Sequence, residues 1–215
     1  MENKTELYPK MFTWLFVGLL ITFASGYALS LNQSLMYQVL AIGIFPIAIA
    51  EIVIALILGL RIQKMNPVTM RILYIVYSIL TGVTFSAIFV YFKMSSLISI
   101  FIMTAIIFAL LAFYGYTTKR DLTKLGSIIF IGLIGILIGS LVNMLIFKSA
   151  AADIGLAIVG VIVFVGYIAY DVNKVKYLVD AVGEEKAAVY GAFQLYLDFI
   201  NLFIRLLELF GKKND

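Results

Sequence analysis

Five polar residues stand in an otherwise apolar run near the end of this chain: Gln194, Asp198, Asn201, Arg205 and Glu208. Their spacing of four, three, four and three places all of them on one face of an α-helix. Ionisable groups at the centre of a spanning helix cost on the order of 2.5–3.5 kcal/mol each on insertion scales, so such a face turns towards other helices or a water path. A second acid, Asp171, lies in the preceding apolar segment, and a third, Glu51, is the one charged residue between Met11 and Leu60. Two carboxyl groups brought together in a dry site share a proton rather than both ionise. A cation beside them, such as Arg61, favours the doubly ionised form, and protonation weakens its hold. This is the chemistry of a pH switch built without histidine. Oxygen-only ligands, here Asp171, Asp198 and Glu51, suit hard cations such as Ca²⁺ rather than zinc or copper.

The elements that carry these residues are membrane helices. Of 215 residues, 63% are hydrophobic and only 13% charged, against about 25% charged in soluble domains, and mean hydropathy is +1.08. Between Ile72 and Thr118 the only charged residue is Lys93. Both weakly charged stretches far exceed the roughly 20 residues of one crossing, so each folds into two helices. Seven spans are predicted, at Phe12–Leu31, Met36–Leu60, Ile72–Phe92, Leu97–Tyr116, Gly126–Phe147, Ile154–Val172 and Tyr190–Phe210. They form a single domain over residues 1–215. Lys4 and Lys10 before an apolar run imitate a signal peptide, but the run is too long and no cleavage site follows, so a retained helix is expected.

Cysteine and histidine are absent, which removes disulfides, thiol nucleophiles, Cys/His zinc sites and histidine proton shuttles. The net charge of +4 fits short loops on an anionic leaflet, and the scattered basic residues form no nucleic-acid patch. Eleven Lys and Arg fall at the N-terminus or in the loops after spans two, four and six: Lys4, Lys10, Arg61, Lys64, Arg71, Lys119, Arg120, Lys124, Lys174, Lys176 and Lys186. Four, Lys93, Lys148, Lys212 and Lys213, fall on the other side. The positive-inside rule then puts the N-terminus in the cytoplasm and the C-terminus outside.

With that orientation Asp171 lies near the inner end of span six and Asp198 about eight residues, or ~12 Å, into span seven. Arg61 ends span two on the same side, so the three charges fall at similar depth. Glu51 lies about 15 Å outward of Arg61, near mid-bilayer. Arg205 and Glu208, three residues apart, have the spacing of a helical ion pair. Asp171 has an alternative partner in Lys174, one turn on. Gly135 and Gly139, with Gly132 nearby, predict close helix packing. Pro46 removes a helix hydrogen bond at Ile42 and is expected to bend span two.

The segment LYLDFINLFIRLLELFG, from Leu195 to Gly211, is similar to the closing signature of the Bax inhibitor-1 (transmembrane Bax inhibitor motif) family, and GYIAYDVNKVK, from Gly166 to Lys176, looks like its other signature. Length and hydropathy agree over nearly the whole chain, and the bacterial members are the nearest fit. The resemblance implies an all-α membrane protein whose C-terminal helix is central and wrapped by two three-helix layers. It implies a pH-sensitive calcium leak in the bacterial plasma membrane, with Ca²⁺ and protons as partners, no cofactor and no enzymatic activity. It also implies that Asp171 and Asp198 are the pH-sensing dyad, that Arg61 latches it, and that Glu51 contacts the ion. Asn201, Arg205 and Glu208 continue the ion path. Arg205 departs from the neutral polar residue of the bacterial pattern, and its charge repels cations unless Glu208 or Glu51 neutralises it.

Other classes compete. An intramembrane aspartyl protease places one Asp in each of two consecutive helices, as Tyr170-Asp171 and Asp198 do, but the Gly-x-Gly before the second Asp and the Pro-Ala-Leu element are missing. A rhodopsin needs a lysine in span seven, which has none. A proton-coupled secondary cation transporter is the principal alternative: a carboxylate pair serves coupling as well as gating, and Pro46 could mark a broken helix. A scaffold that conducts nothing is a third.

Overall fold

The computed structural model describes residues 6–41, 43–120 and 122–214, so Lys4 and Ile42 lie outside the described residues. Among the described residues eight α-helices follow one another: α1 Leu7–Ser30, α2 Gln33–Ala41, α3 Ile44–Leu60, α4 Pro67–Tyr91, α5 Met94–Thr117, α6 Thr123–Val142, α7 Ala150–Val182 and α8 Glu184–Phe210. A π-helical turn, Asn143–Phe147, ends α6. Six of these, α1 and α4 to α8, are long and apolar enough to cross a membrane, and α3 is a shorter apolar helix. The protein is an all-α membrane protein.

Span two departs from expectation. It is interrupted rather than bent, with α2 ending at Ala41 and α3 beginning at Ile44. Gly43 takes φ +113, a conformation that suits glycine. Pro46 then falls in the first turn of α3, where a missing N–H costs no hydrogen bond. The helices around the signature segments run past their predicted ends, α7 by ten residues beyond Val172 and α8 by six before Tyr190. Charge marks where hydrocarbon ends, whereas the helix continues until Gly183, at φ +82, turns the chain. At α4, by contrast, Asn66 caps the first turn by accepting the Thr69 N–H at 2.8 Å, and Pro67 occupies the first helical position.

The chain divides into two compact units. The first comprises Met1–Lys93, Val175–Tyr196 and Lys213–Asp215. Here α1 and α4 run parallel at a constant offset of 56 residues: a Cβ on Gly18 would strike the Tyr74 ring, and one on Gly26 would lie 2.7 Å from the Gly82 carbonyl. Thr22 donates to the Ser78 carbonyl at the same offset. The early part of α8 runs parallel to both, pairing Glu184 with Lys10 and packing Phe193 and Tyr196 on Tyr74 and Tyr77.

The second unit comprises Met94–Lys174 and Leu197–Lys212. In it α6 and α7 are antiparallel, meeting through Ile129, Ile136 and Val163. A Cβ on Gly132 would lie 2.8 Å from Val163, and one on Gly139 2.8 Å from Leu156, whereas Gly135 has open space. The close contact therefore uses Gly132 and Gly139, two turns apart on one face, and not the Gly135–Gly139 pair. Phe101 and Phe108 of α5 pack on Phe199 and Phe203 of α8.

Candidate functional site

Asp171 and Asp198 sit on opposite arms of the α7–α8 hairpin, 12 residues before Gly183 and 15 after it. At 1.5 Å per residue these are roughly 18 and 22 Å along their helices, so the two carboxyl groups reach the same level. They meet within hydrogen-bonding reach. Both are buried, with 7% and 5% exposure. One Asp198 oxygen, Oδ2, is buried with no hydrogen-bond partner. An ionised carboxylate only accepts, so two of them face to face leave acceptors without donors, and one shared proton removes that deficit.

A cation, Lys174, stands close enough to act on Asp171. Asn173, buried and about 200° around α7 from Asp171, donates to the carbonyls of Gly115 at 3.2 Å and Thr118 at 3.4 Å, tying α7 to the end of α5. A Cβ on Gly115 would strike the backbone of Ala169, so these helices approach at their backbones. Lys174 lays its ammonium over the Tyr170 ring, 5.2 Å from its centre, and makes no ion pair with Asp171 among the described residues. Tyr167, one turn before Asp171, is close enough to feel both carboxyl groups.

Along α8 the polar stripe opens by degrees. Asp198 is buried, Gln194, Asn201 and Arg205 are half-buried, and Glu208 is exposed. Of the six long helices α8 is the most enclosed, with 72% of its most apolar window buried against 17–33% in the others. Asn201 donates to the Leu197 carbonyl one turn back, at 2.7 Å. Arg205 and Glu208 form the expected ion pair at 2.8 Å. The Arg205 stem lies over Gly160 of α7, where an added Cβ would meet it at 3.0 Å.

Glu51 has its own neighbours in the first unit. Thr81 donates to its carboxylate at 2.7 Å, and the Tyr77 and Tyr196 hydroxyls stand close to Thr81. Thr22 gives its proton to the Ser78 carbonyl at 2.9 Å. The 2.5 Å contact between Tyr196 and Thr22 is therefore donated by the tyrosine. Arg61 caps the C-terminus of α3, its N–H bonded to the Ile57 carbonyl, and its side chain is exposed. Among the described residues no group of three acidic side chains converges; the structure brings together Asp171 with Asp198, and Arg205 with Glu208.

Residues 5–215 match the family described as "Inhibitor of apoptosis-promoting Bax1". The chain belongs to the Bax inhibitor-1 family. It is 39% identical over 214 residues to the inner membrane protein YbhL of Escherichia coli K12, covering 95% of this chain and 90% of that one. It is also 36% identical to an uncharacterized protein of Borreliella burgdorferi, covering 99% and 94%. A Rickettsia prowazekii protein, RP147, is 34% identical, covering 100% and 92%.

In this Bax inhibitor-1 family member, sequence reasoning missed Tyr167, Asn173 and the hydroxyl groups around Glu51. Tyr167 stands four residues before Asp171 and so on its helical face, a signal the sequence did contain. Thr22, Ser78 and Thr81 carried none, because hydroxyl residues in apolar helices commonly bond back to their own helix, as Ser78 does to the Tyr74 carbonyl at 2.9 Å.

Proposed function

We propose that this protein is a calcium-permeable leak in the bacterial plasma membrane, gated by a proton that Asp171 and Asp198 share. The observation that carries the reading is the buried contact of two carboxyl groups, one of whose oxygens has no donor. In a membrane interior such a pair is expensive and marks proton or ion handling rather than packing. Arg61 enters as the latch that favours the doubly ionised pair, so protonation unlocks the path and calcium entry rises as pH falls. Asn201, Arg205 and Glu208 continue the path along α8, and Glu51 contacts the ion in the other half.

Seven crossings belong to this reading. Helices α1 and α4 run parallel, so the α2–α3 segment returns the chain across the bilayer. The 17 residues of α3 reach the lower limit for a span. The N-terminus is then cytoplasmic and the C-terminus outside, in agreement with the distribution of basic residues. The inner-membrane name of the Escherichia coli relative supports the location.

A proton-coupled cation exchanger is the second reading, favoured by the interruption at Gly43, since transporters use discontinuous helices. Calcium entry into proteoliposomes over a pH series separates the two. A leak runs down the calcium gradient without a pH difference across the membrane, whereas an exchanger requires or responds to an imposed one. Absence of calcium entry under either condition would refute both.

A further inference from the structure

A cavity of about 580 Å³ opens within the first unit, whereas both aspartates belong to the second. It lies where α1, α4 and α8, parallel to one another, all begin. Lys10 and Trp14 reach it from α1, Arg71 from α4, and Glu184, Glu185 and Lys186 from α8. Its charged lining is thus three cations and two carboxylates. Both carboxylates are already occupied: Glu184 accepts from Lys10 at 2.6 Å, and Glu185 pairs with Arg71.

The cations are not used up. Each lysine has three N–H donors and the guanidinium five. Among the described residues Lys10 spends one on Glu184, Lys186 one on the Gln63 carbonyl at 3.0 Å, and Arg71 one on Glu185. The Arg71 Nε–H is buried with no acceptor at all. A buried donor of this kind is costly to leave unmade. The guanidinium lies 5.6 Å from the centre of the Trp14 ring, and both side chains line the cavity. Three helix N-termini add partial positive charge at the same end.

We propose that this cavity binds a phosphate group, held by Arg71 and Lys186 with Lys10 at its edge. A guanidinium that spends one terminal N–H on Glu185 keeps further terminal donors, whose planar fork suits the tetrahedral oxygens of phosphate. Two sources carry that chemistry, the headgroup of an anionic phospholipid and free phosphate. Binding requires neither ion conduction nor a titrating aspartate pair, so it stands apart from the leak reading.

Trp14 is the only tryptophan in the chain and reports directly on the cavity. The full-length protein in neutral detergent is titrated with dihexanoyl phosphatidylglycerol, with inorganic phosphate against potassium chloride of equal ionic strength, and with uncharged dihexanoylglycerol. A saturable change in Trp14 emission is expected with the phospholipid and not with dihexanoylglycerol or chloride. Saturation by inorganic phosphate as well assigns the site to free phosphate; saturation by the phospholipid alone assigns it to a headgroup. Arg71→Gln with Lys186→Gln is expected to weaken binding at least about tenfold, the loss of charge-assisted contacts. Glu185→Gln removes the competing carboxylate and is expected to tighten binding, whereas an ion pair that only braces the helices predicts the reverse. No saturable change in the wild type, an unchanged titration in the double variant, or weaker binding in Glu185→Gln would overturn the proposal.

Discussion

Asp198→Asn changes charge at the α7–α8 contact while nearly keeping shape. The amide Nδ2–H takes the place of the shared proton and donates to Asp171, so with its carboxyl groups ionised the contact carries one negative charge instead of two. Two full charges about 4 Å apart at an effective dielectric of about 20 repel by roughly 4 kcal/mol. That is a factor of about a thousand, at 1.36 kcal/mol per tenfold. On the proposed gating, a proton in the wild type relieves this repulsion and loosens the latch, coupling pH to opening. A gate controlled by one proton changes flux by up to about tenfold per pH unit, because occupancy by one proton varies tenfold per unit at most. In Asp198→Asn there is no repulsion left to relieve, and the slope is expected to fall below about twofold per unit. Flux at alkaline pH is expected to exceed the wild-type value, since a neutral amide gives Arg61 less to hold. The assay is calcium entry into proteoliposomes loaded with a fluorescent calcium indicator, stepped from acid to alkaline pH with the same pH on both sides. Asp171→Asn is expected to flatten the profile equally, because the proton belongs to the pair. A folded Asp198→Asn protein that keeps the wild-type slope would refute the gating argument.

Three other predictions test neighbouring parts of the structure. Glu208→Gln leaves the Arg205 guanidinium without its 2.8 Å partner, and calcium entry is expected to fall; Arg205→Gln with Glu208→Gln restores it if the charge alone is responsible. Gly82→Ala places a Cβ 2.7 Å from the Thr22 carbonyl, so α1 and α4 must separate, at about 1–3 kcal/mol. Gly135→Ala, with open space around it, is the matched control, and thermal melting in detergent should show a lowered Tm for the first variant only. Tyr196→Phe removes the donor to Thr22 but leaves the Thr22 bond to Ser78 in place, so a loss of about 1 kcal/mol is expected, with the pH profile of calcium entry unchanged.

The aspartate pair was legible in the sequence because charge is rare in these helices. In a chain so apolar, Asp171 and Asp198 have few reasons to exist, and the four-three spacing fixes the face of α8 on which Asp198 lies. Both residues count back to one turn, at Gly183, by 12 and 15 residues. Helix ends were not legible, because hydropathy falls at Asn173 while helical hydrogen bonding continues to Val182. The interruption of span two was half legible: Pro46 announced a disturbance, but whether a helix bends or stops depended on Gly43 adopting φ +113. The glycine contacts failed for a geometric reason. Gly135 lies about 60° around the helix from Gly132, whereas Gly139 returns to within about 20°, so a four-residue motif named the wrong partner. Nothing in the sequence announced that Lys10, Arg71 and Lys186 would share a cavity, since only the parallel course of α1, α4 and α8 brings their first turns together.

The two polar faces of α8 are satisfied unequally, and that difference bears on mechanism. Tyr196 and Asp198 are two residues apart, so they point about 200° around the helix from each other. On the Tyr196 side every proton has a place: the tyrosine donates to Thr22, and Thr22 to the Ser78 carbonyl. The three members of this chain are uncharged, and the one acid near it, Glu51, already has a donor in Thr81 at 2.7 Å. On the Asp198 side an acceptor is left over, and its neighbour is another acid. On the proposed gating this site has two states, with and without a proton, and each asks for a different arrangement of nearby charge. A helix braced on one side and undecided on the other is suited to switching, since the satisfied face keeps its register while the other responds. If instead Tyr196→Phe altered the pH profile as strongly as Asp198→Asn, the two faces would be one network, and the division of labour argued from their hydrogen bonds would fail.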